Sequence, residues 1–142
     1  MRNVVLLLGA CAFSCSLAAQ APAPDSFQPV ATMKQLMLEI IHPASNEILL
    51  AVNRGGPESD REWASVRRNA VTLAESGNLL MMRNRASDWV EESRSLVAAG
   101  SALYKAAEAR DSKTLGSLTE SLDRSCTSCH KRFRPTVFAP VK

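Results

Sequence analysis

Cys126-Thr127-Ser128-Cys129-His130, followed by the cations Lys131, Arg132 and Arg134, is the stretch of this chain whose residue types and spacing carry recognisable chemistry. Two cysteines three apart on a helix point their thiols to nearly the same side, and the next residue sits about 100° further round the same turn. That arrangement suits one haem c: two sulfurs bond its vinyl groups covalently while the imidazole of His130 reaches its iron, the pattern of c-type attachment. The cations that follow suit a helix C-terminus, where they either offset haem propionates or form a solvated basic end.

Three other uses of such cysteines fit less well. A thioredoxin-type dithiol sits at a helix N-terminus, where the dipole lowers a thiol pKa, whereas this pair falls at the C-terminal end of a helical pattern with no βαβ signal nearby. A structural zinc needs four ligands, and His42 is the only further histidine able to join Cys126, Cys129 and His130. A disulfide between Cys126 and Cys129 closes a very short loop, gains little, and leaves His130 without a role.

The rest of the chain predicts helices that position this motif. Of 142 residues, 46% are hydrophobic and only 5% aromatic, and the abundance of Ala and Leu favours packed helices over sheet. Apolar residues recur at helical spacing from Val30 to the Arg54-Gly55-Gly56-Pro57 break, with Pro43 expected to bend this first helix. Ser59-x-x-Glu62 has the form of a capping box, after which Trp63, Val66, Ala70, Leu73, Gly77, Leu80 and Met81 line one face to about Arg83. Ser87 and Asp88 are good starting residues for a third helix that carries Val90, Leu96, Val97, Leu103, Tyr104 and Ala107 and ends near Arg110. Asp111 or Ser112 caps the last, in which Leu115, Leu118, Leu122 and Cys126 share a face until Pro135 stops it. Four such helices with short connections predict an all-α, antiparallel up-down-up-down four-helix bundle over residues 30–138.

Residues 1–19 read as a secretory signal peptide: Arg2 is followed by an apolar run from Val4 to Leu17 and then small residues, and the run is shorter than the roughly 20 residues of a membrane span. Leu8-Gly9-Ala10-Cys11 has the look of a lipoprotein site, but the apolar segment before Cys11 is then very short. Cleavage removes Cys11 and Cys15 and leaves Cys126 and Cys129; residues 20–29 form a Pro-rich lead-in. A net charge of +3 argues against a nucleic-acid binder. The two histidines, His42 and His130, leave no set for hydrolase chemistry, and there is no Gly-rich phosphate loop, so no enzyme activity is expected.

The pentad Cys126 to His130 followed by Lys131-Arg132-Phe133-Arg134, at the end of a fourth helix, resembles the class II c-type cytochromes, the cytochrome c prime family, over about residues 30 to 138. In other common c-type classes the pentad lies near the N-terminus. The resemblance implies periplasmic maturation with covalent haem, His130 as the fifth iron ligand, Arg134 close to the proximal haem face, and a role in electron transfer to redox partner proteins or in binding small gases. Related bundles often pair as homodimers through their first two helices.

In that topology the start of helix one and the ends of helices two and four meet at one end of the bundle, close to the start of helix three. Met33, Met37, Met81, Met82 and Trp89 therefore lie near His130. Met33 and Met37 are one turn apart on one face, and either can reach the iron. In low-spin members of the resembled family the sixth ligand is a Met on the first helix, and Leu36-Met37 is the better match, with Met33 second. High-spin members hold an apolar residue there and bind NO or CO at open iron. Met81 and Met82 are read as core filler, Trp63 and Trp89 as packing residues, and His42, directly before Pro43, as solvent-facing. A one-electron carrier with Met37 on iron is thus the favoured function, and a five-coordinate gas-binding protein the alternative. Export predicts that intact mass will place the mature N-terminus between Ala18 and Pro22; retention of residues 1–20, or a lipid adduct on Cys11, contradicts it.

Overall fold

The computed structural model describes residues 27–134; the leader, most of the lead-in and the expected stop at Pro135 lie outside the described residues. The first helix opens at Thr32 rather than at Val30, which is fully exposed. Thr32 Oγ1 accepts the Gln35 backbone N–H at 3.2 Å while the Gln35 side chain accepts the Thr32 N–H at 3.0 Å, a reciprocal cap that satisfies donors a helix start leaves open.

Helix α1 then runs through 33–53 in three stretches: α-helical Met33–Gln35, a π-helical turn Leu36–Ile41, and α-helical His42–Asn53. The π turn is how the chain takes up Pro43. Proline has no N–H for the carbonyl four residues back and its ring crowds that carbonyl. The backbone widens before it, and the His42 N–H reaches back five residues to the Met37 carbonyl. Gly55 and Gly56, with φ of 105° and 103°, turn the chain away in a conformation that side-chain-bearing residues rarely hold.

Helix α2, Asp60–Arg83, starts on the capping box expected at Ser59 and Glu62. Helix α3, Ser87–Glu108, starts at Ser87 as expected; Ala86 occupies the cap without a side-chain bond, and the Asn84 side chain accepts the Ala86 N–H at 3.0 Å. Helix α4, Ser112–Phe133, is capped by Asp111, whose carboxylate accepts the Thr114 N–H at 3.0 Å.

The four helices pack together as a bundle, with no strand among the described residues. Each packs on its sequence neighbours, α2 against α3 most extensively, and α1 also meets α4. The core takes Leu36, Ile41 and Ile48 from α1, Trp63, Val66, Leu73 and Leu80 from α2, Leu96 and Leu103 from α3, and Leu115 and Leu122 from α4. Trp63 is a packing residue, as expected. Met82 is not core filler: it is 44% exposed, because a helix cannot turn the adjacent residues Met81 and Met82 to the same side as Leu80. No described helix is long and apolar enough to cross a membrane.

The α2–α3 seam is built for close approach. A Cβ on Gly100 would lie 2.5 Å from the Ala74 nitrogen and 2.9 Å from the Ala70 carbonyl oxygen, and one on Gly77 would lie 2.8 Å from the Ser93 carbonyl oxygen. Backbone cannot swing aside as a side chain can, so Gly100→Ala forces the helices apart, at a cost of about 1–3 kcal/mol for overpacking that exceeds the gain of up to about 1 kcal/mol in helix propensity. Gly116 on α4 is the control: its Cβ would meet only Val52 Cγ1, at 4.0 Å. Urea denaturation is expected to show Gly100→Ala destabilised and Gly116→Ala stabilised by about 0.5–1 kcal/mol; stabilisation of both would contradict the seam.

Candidate functional site

The buried face of α4 carries Leu115, Leu122 and Ser125, whose hydroxyl donates to the Leu122 carbonyl at 2.7 Å. Cys126, Cys129 and His130 follow on the same helix, each half-buried, and the two cysteines are free thiols. They form one wall of a groove of about 400 Å³, opposite Met37, Leu38 and Ile41 of α1 and against Leu80, Leu96 and Leu122. A second cavity of about 390 Å³ adjoins it, reached by Met33, Trp89 and Phe133. Met37, Leu38, Cys129, His130 and Arg134 line both, so Met37 and His130 stand on the wall that the two share.

The structure therefore brings together the site residues the sequence singled out, Cys126, Cys129, His130, Met37, Met33 and Arg134, and leaves Met81 and Met82 outside both cavities. His42 is exposed, as expected, and reaches the margin of the first cavity. Trp89 does more than pack. Its indole N–H donates to the Leu80 carbonyl at 2.8 Å, and its ring meets Phe133 edge-on at 4.9 Å, which ties the end of α2, the start of α3 and the end of α4 together.

Two polar contacts strengthen that junction. Ser128 Oγ donates to Glu92 Oε1 at 2.8 Å, and the Arg132 guanidinium lies 3.3 Å from the Asp88 carboxylate. The ion pair, partly solvated, adds little energy; the aromatic pair is worth about 0.5–1.5 kcal/mol beyond its buried area. Both fix where His130 sits on α4 relative to α3.

The groove sets the protonation of its own donors. Burial pushes the Cys126 thiol up, and burial followed by the negative charge of Glu92 pushes the Cys129 thiol up to about 11. Burial, and then the positive charge of Arg134, lower the His130 imidazole below its usual range. At neutral pH the ring is neutral and able to offer a nitrogen lone pair to a metal, while the thiols are the opposite of an activated redox dithiol, whose pKa is depressed.

Sequence reasoning missed Glu92, which lines the groove half-buried, and Leu38, which is 57% exposed on it. A signal for Leu38 was present: five of the six residues in Leu36-Met37-Leu38-Glu39-Ile40-Ile41 are apolar, and a helix apolar nearly all round expects cover on more than one side. Among the described residues no three His, Cys, Asp or Glu side chains gather to hold a metal ion. The groove presents the thiols of Cys126 and Cys129, the His130 imidazole and the Met37 thioether among Leu38, Ile41, Leu49, Leu80, Leu96 and Leu122, with His42, Glu92, Asp123 and Arg134 also on its lining, a set that fits a flat, largely apolar macrocycle with charged edges, attached through sulfur and ligated at its iron.

In the haem-free chain the raised thiol predicts slow alkylation of Cys129 by iodoacetamide at about pH 8, below the rate of an ordinary thiol of pKa about 8.5, with the rate still rising above about pH 10. A plateau by neutral pH would mean an activated dithiol. Searches of protein-family models, curated proteins and solved structures find no match to this chain.

Proposed function

We propose that this protein is an exported c-type cytochrome of the class II kind, an antiparallel up-down-up-down bundle that carries one electron at a time between redox partners in the periplasm. The observation that carries the proposal is the lining of one groove of about 400 Å³ by Cys126, Cys129 and His130 from α4 and Met37 from α1. The antiparallel order is supported by the junctions of Leu80 with Trp89 and of Trp89 with Phe133, which bring the ends of α2 and α4 to the start of α3.

A bound haem supplies a reversible one-electron iron couple, whose potential the axial ligands, burial and nearby charge adjust. Cys126 and Cys129 would hold it through thioether bonds, which keep it in place whatever the iron ligands do. His130 would give the fifth ligand, its imidazole kept neutral by burial and by Arg134. Met37 would give the sixth from the facing helix. Leu38, Ile41, Leu80, Leu96 and Leu122 line the groove and would limit water at a bound haem, and Leu38, 57% exposed, is an apolar side chain that a macrocycle would cover.

Met37 separates a carrier from a gas-binding protein, since a thioether on iron blocks the position where NO or CO would bind. Absorption spectra of the haem-loaded protein are expected to be six-coordinate and low-spin. Met37→Leu, which keeps similar volume without a donor atom, is expected to become five-coordinate and high-spin and to bind CO faster, and Met33→Leu to change neither. If the wild type is already high-spin and binds CO readily, the carrier function fails and the gas-binding one replaces it.

A further inference from the structure

Glu92 is the half-buried carboxylate of the groove, and nothing in the attachment or ligation of a haem requires it. It lies on α3, outside the Cys126 to His130 pentad, yet it lines the same cavity as Cys126, Cys129 and His130. Ser128, an exposed residue inside that pentad, donates its hydroxyl to Glu92 Oε1 at 2.8 Å, so the carboxylate is tied to the helix that carries the cysteines rather than left free. Its charge is felt there, being the largest influence on the Cys129 thiol after burial. The other charged side chains lining this cavity, Asp123 and Arg134, are exposed and so more fully screened by solvent.

We propose that Glu92, pinned by Ser128, is a positioning residue that sets the reduction potential of the proposed haem, favouring the oxidised state. The inference rests on the haem reading of the groove. Loss of one electron to a redox partner leaves one more positive charge in the groove, and a fixed carboxylate in a partly dry site stabilises that charge more than an exposed one does. The Ser128 hydrogen bond adds precision, because it fixes the carboxylate relative to the residue next to Cys129.

Spectroelectrochemical titration of the haem-loaded full chain tests this. Glu92→Gln keeps the size of the side chain and an oxygen able to accept from Ser128 while removing the charge, and is expected to raise the midpoint potential with thermal stability nearly unchanged. Asp123→Asn, on an exposed group, is expected to shift it less, and the difference should persist at high salt. Ser128→Ala keeps the carboxylate but releases it, and should raise the potential by less than Glu92→Gln; this second variant keeps the test open should the first fail to fold. An unchanged or lowered potential in Glu92→Gln, a larger shift in Asp123→Asn, or lost stability with the potential intact overturns the proposal. A wild-type protein with no haem spectrum is a separate result, which overturns the haem reading and this proposal with it.

Discussion

The geometry of the functional end depends on Trp89. Its indole N–H is committed to the Leu80 carbonyl at the end of α2, and its ring edge is committed to Phe133 at the end of α4. One side chain at the start of α3 thereby holds two helix ends, and the Arg132 and Ser128 contacts to Asp88 and Glu92 fix α4 in rotation. With α4 held against α3, its cysteines and histidine face the space toward α1 instead of closing onto it. A tryptophan suits this role because it pairs a large packing surface with one directional donor.

The bundle is uneven in a way that follows from residue size. Where α2 meets α3, glycine, alanine and serine let the backbones approach until a single added methyl would collide with main-chain atoms. Where α1 faces α4, the residues are Met, Leu and Ile, the chain widens into a π turn, and a groove is left. Turns of this kind recur at functional sites because they redirect side chains without ending a helix. Met37 is part of that turn, so the residue that crowds the backbone, Pro43, also shapes the presentation of a proposed ligand.

Much of this was legible in the sequence where the determinants are local. The spacing of Cys126, Cys129 and His130 needs only a helix to put three groups on one side, and Ser59 with Glu62 announces the start of α2 within four residues. The same holds for the face of α2 from Trp63 to Leu80. Contacts between distant residues were not legible. Ser128 and Glu92 are 36 residues apart, and nothing in either neighbourhood marks the other as its partner. The start of α3 at Ser87 was legible as well, but that Ala86 would cap it without a side-chain bond, with Asn84 left extended before it, was not. Pro43 marked a disturbance in α1, but propensity alone does not distinguish a bend from a widened turn.

The central claim is that Cys126 and Cys129 carry one haem covalently. The measurement that reaches it most directly is acid-acetone extraction of the denatured protein, expressed with a haem-maturation system, followed by intact mass of the polypeptide. The account predicts that colour stays with the chain, that its mass exceeds that of the mature sequence by one haem, and that Cys126→Ala with Cys129→Ala abolishes the adduct. Haem that extracts freely into the solvent, or a colourless chain of unmodified mass, would contradict it.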